Sequence, residues 1–413
     1  PLSPPPLMLH PQVWILAIGR FLSEVGTGFT LFYAPIFFVN QVGLSATSVG
    51  FALGCGSISG VLGRILGGIG ADSPGWGRRR TLLASAAISA IASFVLASSA
   101  NFATLVIGSL INGLGQGLYW PATEAVVADL TPIDHRREAF ALTRLADNLG
   151  LGMGIVLAGL LVANSGSYRS LFIIDGVSFI LFFVVVFVAI AETRHCQSIS
   201  DINHRQITAW LRALSDRRLL VYIIVNVIFT TYISQLHSTL PIYLKNFVTV
   251  ESDSKGFSES IISSLFAWHL ISTIIVQLPI NRILRRFSHP QALIISSVVW
   301  GLGFVFIWLT GTTTSNHLIW TASALTVFAV AITSYTPSAS ALVTDLAPQS
   351  QRGIYFSISS LCWAMGYFIG PSLGGFALDQ SQIFLNFFWL ILAVSIVIPI
   401  FFSYYLGVIT KIP

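Results

Sequence analysis

The chain is short of charge. Of its 413 residues only 9% are Asp, Glu, Lys or Arg, against about 25% in a soluble domain. So few charges cannot dress an ordinary wetted surface, and the 54% hydrophobic content and mean hydropathy of +0.80 agree. Cysteine is scarce as well: Cys55, Cys196 and Cys362 lie far apart, show no metal-ligand spacing and say little about redox compartment. There is no Gly-x-x-x-x-Gly-Lys-Ser/Thr loop, so ATP-driven transport lacks its phosphate cradle. GLGQG at 113–117 fails the dinucleotide pattern and lies inside an apolar run. No helix carries a His/Asp/Glu metal set, and no nucleophile is paired with a base. These absences argue against an enzyme, and no cofactor or metal is expected. The opening PLSPPPLMLHP has no basic n-region and no small-residue cleavage site, so no signal peptide is expected.

What the chain does have is long oily segments. A bilayer core of about 30 Å needs roughly 20 apolar residues per helix. Such spans run near 12–39, 46–70, 81–100, 103–130, 138–163 and 169–190, then near 219–247, 260–281, 291–310, 318–346, 353–377 and 383–408. Twelve spans predict an all-α polytopic membrane protein. Most connections are short and rich in Gly, Ser, Asn or Pro. The exception is residues 191–218, a polar linker in which Ile207, Trp210, Leu211 and Leu214 recur at helical spacing, as in a helix lying on a membrane surface. The expected organisation is a six-helix bundle over 1–190, this linker, and a second bundle over 219–413.

The basic residues orient the spans. With a cytoplasmic N-terminus, the loops on that side hold Arg78, Arg79, Arg80, Arg136, Arg137, Arg194, Arg205, Arg212, Arg217, Arg218, Arg282, Arg285, Arg286, Arg352 and Lys411. The opposite side holds only Arg169, Lys245 and Lys255. Positive charge gathers on cytoplasmic loops, so both termini are expected in the cytoplasm. The pI near 9.3 then needs no nucleic-acid partner.

The chain also repeats itself. Residues 119–132 read YWPATEAVVADLTP and residues 335–348 read YTPSASALVTDLAP. At a constant offset of 216, Tyr119, Pro121, Asp129 and Pro132 recur as Tyr335, Pro337, Asp345 and Pro348. Arg136 recurs as Arg352, and Gly150, Gly154 and Gly159 as Gly366, Gly370 and Gly375. Apolar coincidence does not produce prolines, an acid, an arginine and three glycines in one frame. Spans 4–5 and 10–11 are therefore equivalent, and the chain is a duplicated six-plus-six unit. Parallel repeats of this kind place a binding site near the midplane between halves.

With these features the chain resembles a major facilitator superfamily transporter over essentially its whole length, in pattern nearest the drug/proton antiporters. The stretch ILGGIGADSPGWGRRRTLL at 65–83 is similar to that family's loop between spans 2 and 3. Gly68 and Asp72 keep its spacing, and Arg78 to Arg80 arrive two residues late. The resemblance implies a conformational latch of Gly68, Asp72 and Arg78 with Asp129 at the end of span 4, holding the outward-facing state. The plainer reading is an arginine run that only sets topology. A glycine-rich fifth span typical of antiporters appears as NLGLGMGIVLAG, with Ile155 where proline is usual, and its fuller form GYFIGPSLGG sits in span 11. Small residues at this spacing let helices approach closely, so Gly150, Gly154, Gly159, Gly366, Gly370 and Gly375 are packing candidates. The arginine that the family usually carries in span 4 is Ser109 here, so any proton coupling must be arranged differently.

Ionisable groups at mid-bilayer cost about 2.5–3.5 kcal/mol on insertion scales and are functional candidates for that reason. At a rise of 1.5 Å per residue, Glu24 lies roughly 18 Å into the first span, with Arg20 one turn away on the same face. Burial and a neighbouring guanidinium act on a carboxyl in opposite senses, and a pair in that balance can load and release a proton. A static ion pair fixing the helix is the plain alternative. Glu124 is a second candidate carrier. Arg144 and Asp147, at i and i+3, are expected to neutralise one another, Asp129 and Asp345 to serve helix ends, and Asp175 to be satisfied by a neighbour. His237 and His269 fit either substrate or proton contact, or hydrogen-bonded packing. The family's cavity is lined by spans 1, 4, 7 and 10, which makes Phe29, Tyr33, Tyr119, Trp120, Asn226, Thr230, His237 and Tyr335 candidate contacts. Aromatics with few fixed charges suit amphipathic compounds.

The expected function is secondary transport by alternating access, most simply proton-coupled export of small amphipathic molecules by a monomer in a plasma membrane. Its partners are the substrate, protons and the lipid bilayer. An importer or facilitator of a sugar or organic anion, with Arg20 or Arg144 binding substrate, is the alternative within transport. A membrane sensor on the same scaffold is the alternative outside it.

Overall fold

A computed structural model describes residues 10–73, 75–132, 135–193, 213–251, 254–348 and 352–410. The chain divides into two compact units, one of Pro1–Leu44 with Cys55–Ser198 and one of Ser45–Gly54 with Ile199–Pro413.

The first unit contains α1 (Pro11–Asn40), most of α2 (Ala46–Asp72), α3 (Gly77–Ser98), α4 (Phe102–Leu130), α5 (Arg136–Ser165) and α6 (Arg169–Ala189). Ends are set locally. Asn101 accepts from Thr104 N at 3.0 Å while Thr104 Oγ1 accepts from Asn101 N, a reciprocal cap that starts α4. Gly166 ends α5 in the left-handed conformation (φ 66°) that glycine adopts without strain. The interior is a cluster of Val13, Leu16, Leu82, Ala122, Val126, Phe182 and Val186 from α1, α3, α4 and α6.

The second unit contains α7 (Arg217–His237), α8 (Thr239–Asn246), a small antiparallel hairpin of β1 (Thr249–Glu251) and β2 (Ser254–Lys255), α9 (Glu259–Leu284), α10 (His289–Thr312), α11 (His317–Leu346), α12 (Arg352–Leu378), α13 (Gln382–Ser395) and α14 (Val397–Ile409). The spans expected near 219–247 and 383–408 are each two helices. The breaks fall at Ser238 and Ile396, just ahead of Pro241 and Pro399, because proline suits a first helical turn and disrupts a continuous helix. An aromatic core joins Tyr232, Trp300, Phe304, Phe328 and Trp389 through ring contacts of 5.0–6.2 Å. Asp379 accepts from Ala46 N at 2.9 Å and Thr47 N at 2.8 Å, capping the start of α2 within this unit.

Twelve stretches among the described residues are long and apolar enough to cross a membrane. Their outer faces are apolar as well: Ile69, Ile275, Leu278, Ile383 and Val394 are all at least 63% exposed. Water would not tolerate such a surface, whereas lipid suits it. The surface amphipathic helix expected around Ile207, Trp210 and Leu211 lies outside the described residues.

The glycines explain how the helices meet. A Cβ on Gly154 would lie 2.9 Å from the Cα of Gly28 on α1, and one on Gly150 would lie 2.9 Å from Glu24 Cβ. In the repeat, Gly366 and Gly370 press in the same way on Thr230 and Ser234 of α7. Gly159 is buried on α5, and Gly375 meets the backbone of Ala46 and Thr47. Backbone against backbone is the packing that small residues permit in membranes. It also fixes which side chains of α1 and α5 face each other.

Candidate functional site

The close α1–α5 seam carries a charged cluster. Arg20 is 2% exposed, and its Nε donates to Asp147 Oδ1 at 2.7 Å while a terminal nitrogen donates to Oδ2. This bidentate pair overturns the expected Arg144–Asp147 neutralisation. Asp147 faces α1, whereas Arg144 turns toward α4 and donates to Glu124 Oε1 at 3.1 Å. Both members of that second pair are about half exposed, while the Arg20–Asp147 side chains are 2% and 10% exposed. A buried guanidinium requires a carboxylate far more than a half-wetted one does. Trp120 of α4 lies between the two arginines, with guanidinium carbons 5.4 Å and 4.6 Å from its ring centroid, and Tyr119 lies 5.1 Å from Arg20.

Glu24 sits one turn from Arg20, half-buried. Arg20 is committed to Asp147, and Glu24 makes no hydrogen bond or ion pair among the described residues. Its charged neighbours are Asp147, Arg20, Asp175 and Arg144.

Where α2 and α4 end and α3 begins, Arg78 pairs closely with Asp129 and lies 3.9 Å from Asp72. The three charged members of the candidate latch are therefore brought together, while Gly68 faces open space. Glu192 joins them. Its carboxylate accepts from the backbone N–H of Arg78 at 2.9 Å and of Arg79 at 3.1 Å, placing an anion at the α3 N-terminus, where the helix dipole favours it. Arg136 Nε reaches back to Ala128 O at 3.2 Å and closes the end of α4. In the repeat, Asp345 meets His289 Nε2 at 3.4 Å, so a histidine stands where the first unit uses an arginine.

In the second unit the polar groups gather where α7 meets α11 and α12. Asn226 accepts from Tyr335 Oη and donates to Ser359 Oγ at 3.3 Å, and Tyr222 shares that same hydroxyl at 2.8 Å. Tyr335 stacks on Phe229 with centroids 4.5 Å apart. Thr230 donates to carbonyls of its own helix and of Cys362, which makes it a seam residue fully buried in packing. His237 shares a hydrogen bond with Tyr367 Oη at 2.8 Å, and His269 donates from Nδ1 to Leu325 O. In the first unit Phe29 and Tyr33 are buried, Tyr33 against Tyr168.

Sequence reasoning missed Asp147 as the partner of Arg20, Glu192 as a helix cap and Ser359 as a shared hydrogen-bond partner. Only Asp147 carried a signal, an acid one helical turn from a packing glycine at 150. The others depend on which segments meet in space.

The Major Facilitator Superfamily model matches residues 16–249 and 246–411. The chain is 25% identical over 378 residues to a Na(+), Li(+), K(+)/H(+) antiporter of Planococcus maritimus, covering 86% of each. It is 23% identical over 186 residues to the quinolone resistance protein NorA of Staphylococcus aureus, covering 45% of this chain and 47% of that one. Among solved structures, the nucleoside transporter NupG superposes with a TM-score of 0.79 at 17% identity, covering 98% of this chain and 100% of that one. The relatives are transporters rather than enzymes. By the extent of the family match and the twelve apolar helices, this chain is a multi-pass membrane transporter that belongs to the Major Facilitator Superfamily.

Proposed function

We propose that the protein is a proton-coupled exporter of small amphipathic molecules that works by alternating access. It acts as a monomer in the plasma membrane, with both termini cytoplasmic. The observation that carries this reading is the division of labour on α1: Asp147 neutralises Arg20, and Glu24 is left without a pairing group. A carboxyl that is not locked in an ion pair is free to exchange its proton as access alternates. Glu124 is a weaker candidate, since Arg144 holds it. The names of the relatives lend support, one being a proton antiporter and another a quinolone resistance protein.

The substrate contacts proposed are Trp120, Tyr119 and Phe29 in the first unit and Asn226, Tyr335 and His237 in the second. They mix aromatic faces with a few hydrogen-bonding groups, a combination suited to amphipathic compounds. The Asp72–Arg78–Asp129 cluster is proposed to act as the latch, with Glu192 as an added member. An anion importer would need Arg20 or Arg144 to receive substrate, and both already hold carboxylates.

The test uses proteoliposomes with an imposed pH gradient, following amphipathic cations and neutral aromatics in wild type and Glu24→Gln. Gradient-driven accumulation that the variant loses while retaining exchange supports the reading. Flux indifferent to the gradient in both proteins sinks it.

A further inference from the structure

Asp175 faces Glu24 as a charged neighbour but hydrogen-bonds to no member of the cluster just described; it stands on the side of α6 that meets α1 and α3. It is six residues into its helix and 3% exposed. No cation pairs with it among the described residues. Oδ2 lies 2.8 Å from Ser93 Oγ on α3 and 3.5 Å from Thr30 Oγ1 on α1, and Oδ1 is buried with no hydrogen-bond partner. A carboxylate in an apolar bundle ordinarily acquires an arginine, as Asp147 does, because an uncompensated buried charge is costly.

The surrounding groups are all oxygens, and they are short of protons. Ser93 has one hydroxyl hydrogen and two acceptors in reach, Asp175 Oδ2 and Ser89 O at 3.0 Å. Thr30 likewise divides between Asp175 and Thr27 O at 3.2 Å. Ser178 Oγ spends its hydrogen on Asp175 O at 2.7 Å. Each hydroxyl that turns toward its own helix presents lone pairs to the carboxylate. Gly26 of α1 packs directly on these groups, since a Cβ there would overlap Ser178 Oγ and lie 2.7 Å from Asp175 Oδ1.

We infer that Asp175, Ser93, Thr30 and Ser178 form a binding site for a small alkali cation, sodium or lithium, inside the first unit. An all-oxygen donor set selects hard cations over those that prefer nitrogen or sulfur. One carboxylate with neutral hydroxyls balances a single positive charge and leaves a divalent ion uncompensated. The tight approach of α1 to α6 at Gly26 favours a small ion. A bound cation would tie α1, α3 and α6 together and supply the charge that no side chain provides. Asp175 is among the charges that Glu24 faces, but the inference does not require Glu24 to carry protons, because the oxygens around Asp175 come from Ser93, Thr30 and Ser178 and none belongs to Glu24.

The test is equilibrium binding of radioactive sodium to the purified full-length protein in lipid nanodiscs at mildly alkaline pH, with unlabelled lithium as competitor. Wild type is expected to bind one-to-one and saturably, with displacement by lithium. Asp175→Asn is expected to abolish binding, and Ser93→Ala to weaken it by about tenfold, about 1.4 kcal/mol. Glu24→Gln is expected to retain it. Should Asp175→Asn fail to fold, wild type and Ser93→Ala still decide the matter. Absence of saturable binding by wild type overturns the site. So does binding that is unchanged in Ser93→Ala and Asp175→Asn, or lost in Glu24→Gln but kept in Asp175→Asn.

Discussion

Arg20 and Asp147 are 127 residues apart in the chain and bonded to each other through both ends of a guanidinium–carboxylate fork. The pair joins α1 to α5 at the level where the glycines bring those helices into backbone contact, and it determines which other charges remain free.

Breaking this pair is expected to be costly. Asp147→Asn leaves a buried guanidinium uncompensated, a loss of about 3–5 kcal/mol. Replacing both members by apolar residues, Arg20→Met with Asp147→Leu, removes the unpaired charge and is expected to recover most of that stability. Thermal unfolding midpoints of the three proteins in one detergent check this. A double variant no more stable than the single one would mean that the pair does not act as a unit.

Glu192→Ala is expected to free the first amides of α3. The carboxylate satisfies two backbone donors at a helix start, a capping role worth about 1 kcal/mol. Hydrogen exchange over residues 77–83 should speed up while α4 and α5 keep their protection. If transport falls along with it, the cap also serves the proposed latch.

Tyr335→Phe removes the hydroxyl that Asn226 accepts. An unsatisfied buried acceptor costs about 1–3 kcal/mol, so a lower unfolding midpoint is expected. If Asn226 also contacts substrate, the apparent KM for amphipathic substrates should rise more than the maximal rate falls. Asn226→Leu orphans the buried Tyr335 hydroxyl in turn, so the double variant Tyr335→Phe with Asn226→Leu, which removes both partners, should be more stable than either single one.

Gly154→Leu is expected to prevent α1 and α5 from closing, since even a Cβ would come within 2.9 Å of Gly28. Overpacking of this kind costs about 1–3 kcal/mol and should reduce the yield of monodisperse protein. The equivalent Gly370→Leu, set against the hydroxyl of Ser234, should behave alike.

The helical architecture was legible because hydropathy is a local property. Pro11–Asn40 and His317–Leu346 fall within a few residues of the spans read from composition alone. The internal breaks at Ser238 and Ile396 were marked by nearby prolines but masked by uninterrupted hydropathy. The meeting of Asp72, Arg78 and Asp129 was expected from the resemblance to the family's loop between spans 2 and 3, and the three charges do come together.

The charged seam was not legible in the same way. Arg144 and Asp147 share one helix and looked like partners. Their choice was made by Gly150 and Gly154, which draw α5 against α1 and turn Asp147 toward Arg20. Asp175 was expected to find a neighbour, and its neighbours are hydroxyls that leave one oxygen bare.

The sequence by itself determined how many apolar spans there are, roughly where each begins and ends, and that residues 119–159 recur at 335–375, because each follows from short-range pattern and spacing. Only the tertiary structure decided which acid neutralises Arg20, which is left alone and which sits among oxygens. Ion pairs form between helix faces that meet, and where faces meet is set by packing across hundreds of residues.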